Sequence, residues 1–210
     1  MNNIERRERG LAYRVDDEVR AQLIKRRAIL YRLNHWDMSD LDGIRKIVSE
    51  LFGRAENAFV SPPFFCDYGF NIEVGKNFFA NFNCTILDVA RVTIGDNCLF
   101  GPSVAIYTAG HPLHPETRRT GYEYGLPVKI GSDVWIGGSA VILPGVTIGD
   151  ACVIGAASVV THDIPPWSLA AGNPCRVIRK ITEADRKILR GKEEFDDEAW
   201  GIINRDVNKS

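Results

Sequence analysis

From residue 130 to residue 165 the chain counts in sixes: IGSDVW, IGGSAV, ILPGVT, IGDACV, IGAASV, VTHDIP. Ile130, Ile136, Ile142, Ile148, Ile154 and Val160 take the first place in each group. Val134, Ala140, Val146, Cys152, Ser158 and Ile164, mostly small and apolar, take the fifth. Gly131, Gly137, Gly149 and Gly155 stand in second places. Such a repeat is what a flat-sided coil requires: each side buries one branched residue near a corner, and glycine relieves backbone crowding at the turn. A chance spacing of turns in a β-rich chain would not hold through six consecutive groups. Stacked coils of this kind share one continuous core, so a mainly β fold is expected.

The same phase runs through Ile94-Gly95, Phe100-Gly101 and Ile106, and less regularly from Val74-Gly75 through Ala80 to Ile86. Ile106 and Ile130 lie a multiple of six apart, yet the residues between them do not keep the pattern, so residues 107–129 read as a loop pushed out of one coil. Upstream, Val19, Leu23, Leu30 and Leu33 fall on one helical stripe, and Leu41, Ile44, Val48 and Phe52 on another, which predicts two amphipathic helices. Downstream, Thr182 and Asp185 have the spacing of a capping box opening a charged helix that ends near Gly191. Three parts are therefore expected: a helical cap over 1–57, the repeat domain with its inserted loop over 58–181, and a helix and tail over 182–210.

Lys plus Arg number 26 against 27 for Asp plus Glu, which argues against nucleic acid or an anionic membrane as partner and favours a small or neutral ligand. The five cysteines, Cys66, Cys84, Cys98, Cys152 and Cys175, include no CxxC pair, which suits a reducing compartment. Cys98 and Cys152 occupy fifth places and should face the core. The opening MNNIERRERG has no apolar segment, and no run is apolar enough to span a bilayer. A cytoplasmic protein is expected.

At NFFANFNCTILDV, TAGHPLHP, VWIGGSAVILPGVTIGD and AAGNPCRVIRK, the chain resembles the sugar O-acetyltransferases of the hexapeptide-repeat superfamily, the maltose branch above all. The resemblance covers residues 4–181. It implies a left-handed parallel β-helix, a triangular prism with N-terminal helices and a C-terminal helical tail. The hand comes from the resemblance alone, since parallel crossovers are normally right-handed. Also implied are a homotrimer with sites between neighbouring prisms, acetyl-CoA as co-substrate, a sugar acceptor, and chemistry that needs no metal.

Moving an acetyl group from a thioester to a sugar hydroxyl calls for a base, because an alcohol is a poor nucleophile at neutral pH. His111 matches the family's catalytic histidine; read from the residues alone, a polar loop residue is the simpler reading. Glu123, in GYEYG, occupies the position that holds the second ring nitrogen of such a base, or else is a solvated loop carboxylate. The amide of Gly138 matches the donor to the oxyanion. Asn81 in FFANF matches a residue that binds the acceptor sugar, and an asparagine offers both donor and acceptor. Phe79 and Phe82 would wall that pocket, with Asp67 and Tyr68 of CDYGF near the sugar.

Two departures bear on the acceptor. The galactoside branch carries an aspartate pair where this chain has Asp88 followed by Val89, and it has an acidic sugar contact where this chain aligns Val15, with Asp16 or Asp17 one or two places on. Glucose or maltose is favoured over a galactoside. For acetyl-CoA, Trp135 and Ala156 match groove-lining positions, and Thr161, Arg176 and Arg179 match the positions that meet the nucleotide end. His162 stands where lysine is usual, which weakens phosphate contact at higher pH. No nucleophile able to carry the acetyl group stands out, so transfer in a ternary complex follows.

Three rivals use the same coils. A zinc-dependent carbonic anhydrase needs three converging histidines, whereas His111 and His114 share one loop, His162 is coils away and His35 is in the helical part. A non-catalytic rod would not need an intact TAGHP loop and WIGG segment. Acetyl transfer to a galactoside, amino sugar, serine or antibiotic keeps the chemistry and changes the acceptor.

Overall fold

Ile130 lies side by side with Ile94 of the coil before it and Ile148 of the coil after it, and the same holds for Ile136 between Phe100 and Ile154 and for Ile142 between Ile106 and Val160. In the computed structural model, which describes residues 1–207, the chain visits three parallel sheets in rotation. The first sheet holds Arg54–Glu56, Ile72–Lys76, Val92–Ile94, Val128–Ile130 and Thr147–Ile148. The second begins with Phe59–Val60, Phe79–Ala80, Leu99–Phe100, Trp135–Ile136, Val153–Ile154 and Ser168–Ala171. Phe64–Cys66, Cys84–Leu87, Ala105–Tyr107, Val141–Ile142 and Val159–Val160 make the third. The architecture is a left-handed parallel β-helix with added helices.

All six first-place residues are buried, as are the fifth-place residues including Cys152, and Cys98 joins them. The second-place glycines meet a need of packing between coils. A Cβ on Gly131 would stand 2.2 Å from Asp150 Oδ1 and 2.7 Å from the Asp150 backbone nitrogen, and one on Gly95 would stand 2.6 Å from the nitrogen of Ser132. Left-handed backbone at the corners falls instead to other residues, notably Asn57, Asn77, Asn97 and Asp133 at one corner. Asparagine tolerates that conformation better than most residues. These four also bond to one another along the prism, each amide donating to the next side chain at 3.0–3.1 Å.

Coil length explains why the early count is untidy. From Ile130 onward one coil takes 18 residues (Ile130 to Ile148), whereas Val74 pairs with Ile94 and Ile86 with Ile106, 20 residues apart. The two extra residues fall at one corner, between the third sheet and the first, where Asp67 and Tyr68 sit in one coil and Asp88 and Val89 in the next. In the following coil the same corner opens into the long excursion. It holds strand Ala109–Gly110, a short helix and strand Tyr122–Gly125, which pairs antiparallel with Ala109–Gly110 on one side and with Tyr13–Arg14 on the other.

Three helices precede the coils: α1 (Asn3–Glu8), α2 (Asp17–Asn34) and α3 (Leu41–Leu51). The expected stripe of α2 divides its labour. Leu33 and Leu30 pack on the prism core, while Val19 and Leu23 join a second cluster with Tyr13, Tyr68 and Val89. On α3, Ile44, Val48 and the capping Phe52 are buried as expected, but Leu41 is exposed in the first turn and Ile47 is buried instead. The excursion carries α4 (Pro115–Arg119).

The chain forms two units, Met1–Arg179 and a second beginning at Lys180. In the second, the charged helix expected from Thr182 to Gly191 is absent. Thr182 and Asp185 do cap one another, but around a single 3-10 turn, Glu183–Asp185. A hairpin of Ile188–Arg190 and Glu193–Glu194 follows, turning through Gly191 at φ +56°, and the helix comes later, as α5 (Asp197–Val207). The last residues of the expected tail lie outside the described residues. Among the described residues no helix is long and apolar enough to cross a membrane.

Replacing Gly131 by alanine puts a methyl group against backbone that cannot yield, and overpacking of this kind costs about 1–3 kcal/mol. Gly131→Ala should therefore melt several degrees below the parent protein in a thermal scan; an unchanged Tm would show that the coils can spread.

Candidate functional site

The corner between the third and first sheets gathers most of the unusual side chains. Thr108, fully buried, starts the excursion by donating its hydroxyl to Leu87 O at 2.7 Å and accepting from the Ala90 amide at 3.0 Å. Beyond it, the Arg118 guanidinium of α4 donates to the carbonyls of Pro112 and Leu113 at 3.1 and 3.0 Å, and this braces the turn after His111. The two prolines, Pro112 and Pro115, fix φ on either side of that turn.

His111 and Glu123 face each other across the excursion, Nε2 to Oε2 at 3.9 Å. The histidine side chain is 56% exposed and the glutamate 16%. The separation is an ion-pair distance, longer than a hydrogen bond, and catalytic contacts are often this loose before substrate arrives. The other carboxylate oxygen, Oε1, accepts a hydrogen bond from the hydroxyl of Tyr13, which is wholly buried. Nothing in the sequence pointed to Tyr13, because LAYRV lies between two helices where neither periodicity reaches.

Behind this pair stand two more carboxyl groups. Asp67 is pushed up to about 6 by burial, then by the nearby charge of Glu123, with Arg27 opposing. Asp88 is buried and pushed up to about 7 by loss of water, against the pull of its backbone donors and with the charge of Asp67 adding to the rise. Its role is structural: it accepts from the amides of Asp67 at 3.1 Å, Tyr68 at 2.9 Å and Asn71 at 3.2 Å, tying the lengthened corner of one coil to the next. Val89, beside it, is buried in the second cluster and offers no polar group.

The remaining sequence-predicted residues divide. Tyr68 is buried, with the Arg7 guanidinium 4.3 Å above its ring, so it backs this corner without lining it. Asp16 is the N-cap of α2; one oxygen accepts from the Val19 amide at 3.0 Å and the other from Asn3 at 2.7 Å. Asn81, Gly138 and Ala156 lie at a different corner, where the second sheet passes to the third. Asn81 Oδ1 accepts there from the Phe82 amide at 2.7 Å. Phe79, stacked on Phe59, and Trp135, 56% exposed, stand in one outward row of the second sheet with Leu99. His162 and Arg176 line one open groove with Asp163 and Val177; Thr161 bonds to the His162 ring at 2.8 Å, and Arg179 is exposed on the same strand as Arg176. Within one chain, then, His111, Glu123 and Asp67 come together, while Asn81, Gly138 and Ala156 form a separate group. Among the described residues no three His, Cys, Asp or Glu side chains group so as to hold a metal ion.

The raised carboxyl of Asp67 has a consequence for stability. Its folded value of about 6 exceeds the reference 3.8, so the folded state binds the proton more tightly. Its contribution is most favourable at low pH and is lost as pH rises through that interval. Asp67→Asn should raise Tm at pH 8 relative to the parent, with the difference closing toward pH 4; a constant difference at both pH values would contradict this.

Residues 127–162 match the family described as bacterial transferase hexapeptide (six repeats), and residues 91–110 match the hexapeptide repeat of succinyl-transferase. Galactoside O-acetyltransferase of Escherichia coli (strain K12) is 49% identical over 164 residues, covering 78% of this chain and 81% of its own. A maltose O-acetyltransferase from Clostridium difficile 630 superposes with a TM-score of 0.85 at 46% identity, covering 87% of this chain and 99% of its own. A galactoside acetyltransferase in complex with coenzyme A gives 0.89 at 43% identity, covering 94% and 100%. With a repeat in register through the coils, a histidine and carboxylate on the one excursion, and relatives of this closeness over most of the chain, the protein belongs to the hexapeptide-repeat family of sugar O-acetyltransferases.

Proposed function

We propose that the protein transfers the acetyl group of acetyl-CoA to a hydroxyl of a glucose- or maltose-type sugar, with His111 as general base. The observation that carries this reading is the placement of His111 at 3.9 Å from Glu123, on an excursion braced from both sides. The ring nitrogen facing Glu123 is held by the carboxylate, and the other takes the proton of the sugar hydroxyl. As that proton leaves, the hydroxyl oxygen bonds to the thioester carbonyl carbon, and the charge moves to the carbonyl oxygen, where the Gly138 amide receives it. Collapse of this intermediate breaks the carbon–sulfur bond; the thiol of CoA leaves with the proton returned by His111. Glu123 keeps its negative charge throughout and stabilises the imidazolium between the two transfers.

Asn81, Phe79 and Asp67 serve the acceptor in this reading, and Trp135 and Ala156 the pantetheine arm. Thr161, His162, Arg176 and Arg179 serve the nucleotide end, His162 and Arg176 being on a shared groove. The separation of His111 from Asn81 and Gly138 within one chain supports a homotrimer in which the excursion of one prism reaches the corner of its neighbour. Val89 supports the maltose or glucose side of the choice, since a buried valine stands where the galactoside branch has its second aspartate. The functional division into a helical cap, a prism and an appended tail is kept in this reading, with the prism taken from Arg54–Glu56, its first strand, and the tail from Lys180. The unpaired state of Cys66, Cys84, Cys98, Cys152 and Cys175 suits the cytoplasm.

Thiol release from acetyl-CoA, measured with glucose, maltose, thiogalactoside, glucosamine and serine, tests the reading. Release should depend on glucose or maltose and fall by about 10²-fold or more in His111→Ala, the usual worth of a positioned base. Release without acceptor, or at the parent rate in the variant, would overturn it.

A further inference from the structure

Tyr13 takes no part in the chemistry above, yet its surroundings fix it against the carboxylate that holds the base. The strand Tyr13–Arg14 pairs antiparallel with Tyr122–Gly125 so that Tyr13 stands opposite Glu123. Its ring is wholly buried among Val19 of α2, Tyr68 of one coil corner and Val89 of the next. Three separate parts of the fold therefore decide where its hydroxyl points, and it points at Glu123 Oε1. The second oxygen, Oε2, is the one that faces His111. A carboxylate gripped through one oxygen presents the other in a fixed direction.

We propose that Tyr13 is a positioning residue for acetyl transfer: its hydroxyl locks the Glu123 carboxylate in the orientation that holds the His111 ring, and so makes the N-terminal strand part of the catalytic apparatus. This rests on the reading of His111 as base and Glu123 as its holder. A neutral donor is suited to the task. An arginine or lysine at Oε1 would fix the carboxylate but cancel the charge that the imidazolium needs, whereas a phenol fixes it and leaves the charge in place. The ionisable groups around the contact are Glu123, His111, Tyr68, Arg7 and Asp67. Burial, then the bond to Glu123 and its charge, push ionisation of Tyr13 far above the ordinary tyrosine range, so it remains a donor wherever the enzyme works. Asp67 repels Glu123, so the carboxylate would turn away from that side if Tyr13 released it.

The test uses the full chain, acetyl-CoA, and maltose and glucose as acceptors, with Tyr13→Phe, Glu123→Ala, the double variant and His111→Ala. Tyr13→Phe keeps the buried ring and removes only the hydroxyl, and its Tm reports whether the fold is intact. Loss of a hydrogen bond to a charged group at this point should lower kcat about ten-fold, with KM for acetyl-CoA within about two-fold of the parent. In the Glu123→Ala background the same substitution should cost nothing further, because Tyr13 acts only through Glu123. Parent-like kcat in Tyr13→Phe, or the same loss in both backgrounds, would overturn the proposal while leaving the base reading intact. Full activity in His111→Ala would overturn the base reading and the proposal with it.

Discussion

Coils can stack on one another only where nothing stands between their backbones, and in this chain glycine supplies that absence. At Gly75, Gly95, Gly131 and Gly149 a single methyl group would run into the neighbouring coil. The close approach lets the strands of each sheet bond directly, which in turn lines up Ile94, Ile130 and Ile148 and their counterparts into a dry core. Polar order runs along the outside as well, in the ladder of Asn57, Asn77, Asn97 and Asp133. The result is a rod whose sides repeat, and a repeating side has no cleft.

The repeat is broken at one corner, and the proposed base is carried there. Two coils are lengthened by two residues there, at Asp67-Tyr68 and Asp88-Val89, and the third opens into residues 107–129. Asp88 binds the first two together through backbone amides, and the strand Tyr13–Arg14 closes over the third. His111 is thus carried on a loop, but one fastened at its base by Thr108, at its turn by Arg118 and at its far strand by Tyr13. Positioning of this sort is what a general base requires, since its efficiency depends on geometry before acidity.

Much of this was legible in the sequence, for reasons that differ by residue. Ile130 through Val160 announced their own burial because a rigid stack repeats its demands at a fixed interval. The excursion was legible as the place where that interval failed, whereas the roles proposed for His111 and Glu123 came from the resemblance and not from any periodicity. Tyr13 was not, because its importance comes from pairing with a strand more than a hundred residues away, which no local pattern records. Asp88 entered the sequence reading only as the neighbour of Val89, and its work as a structural tie through three amide donors was not legible there. The helix expected after Thr182 failed because a capping box needs only one turn; without an apolar stripe behind it, the chain closed that turn and went into a hairpin at Gly191.

If, as proposed, the excursion of one prism reaches the corner of its neighbour, the base acts on groups that another chain holds, since His111 and Asn81 occupy different corners of their own. The deciding measurement is acetyl transfer by mixed oligomers, formed by unfolding and refolding together the variants His111→Ala and Asn81→Ala, each of which should be inactive by itself. A site shared between chains predicts that activity returns on mixing, because some interfaces then join an intact His111 to an intact Asn81. Mixed oligomers as inactive as their parents would place the whole site within one chain and rule out the shared arrangement.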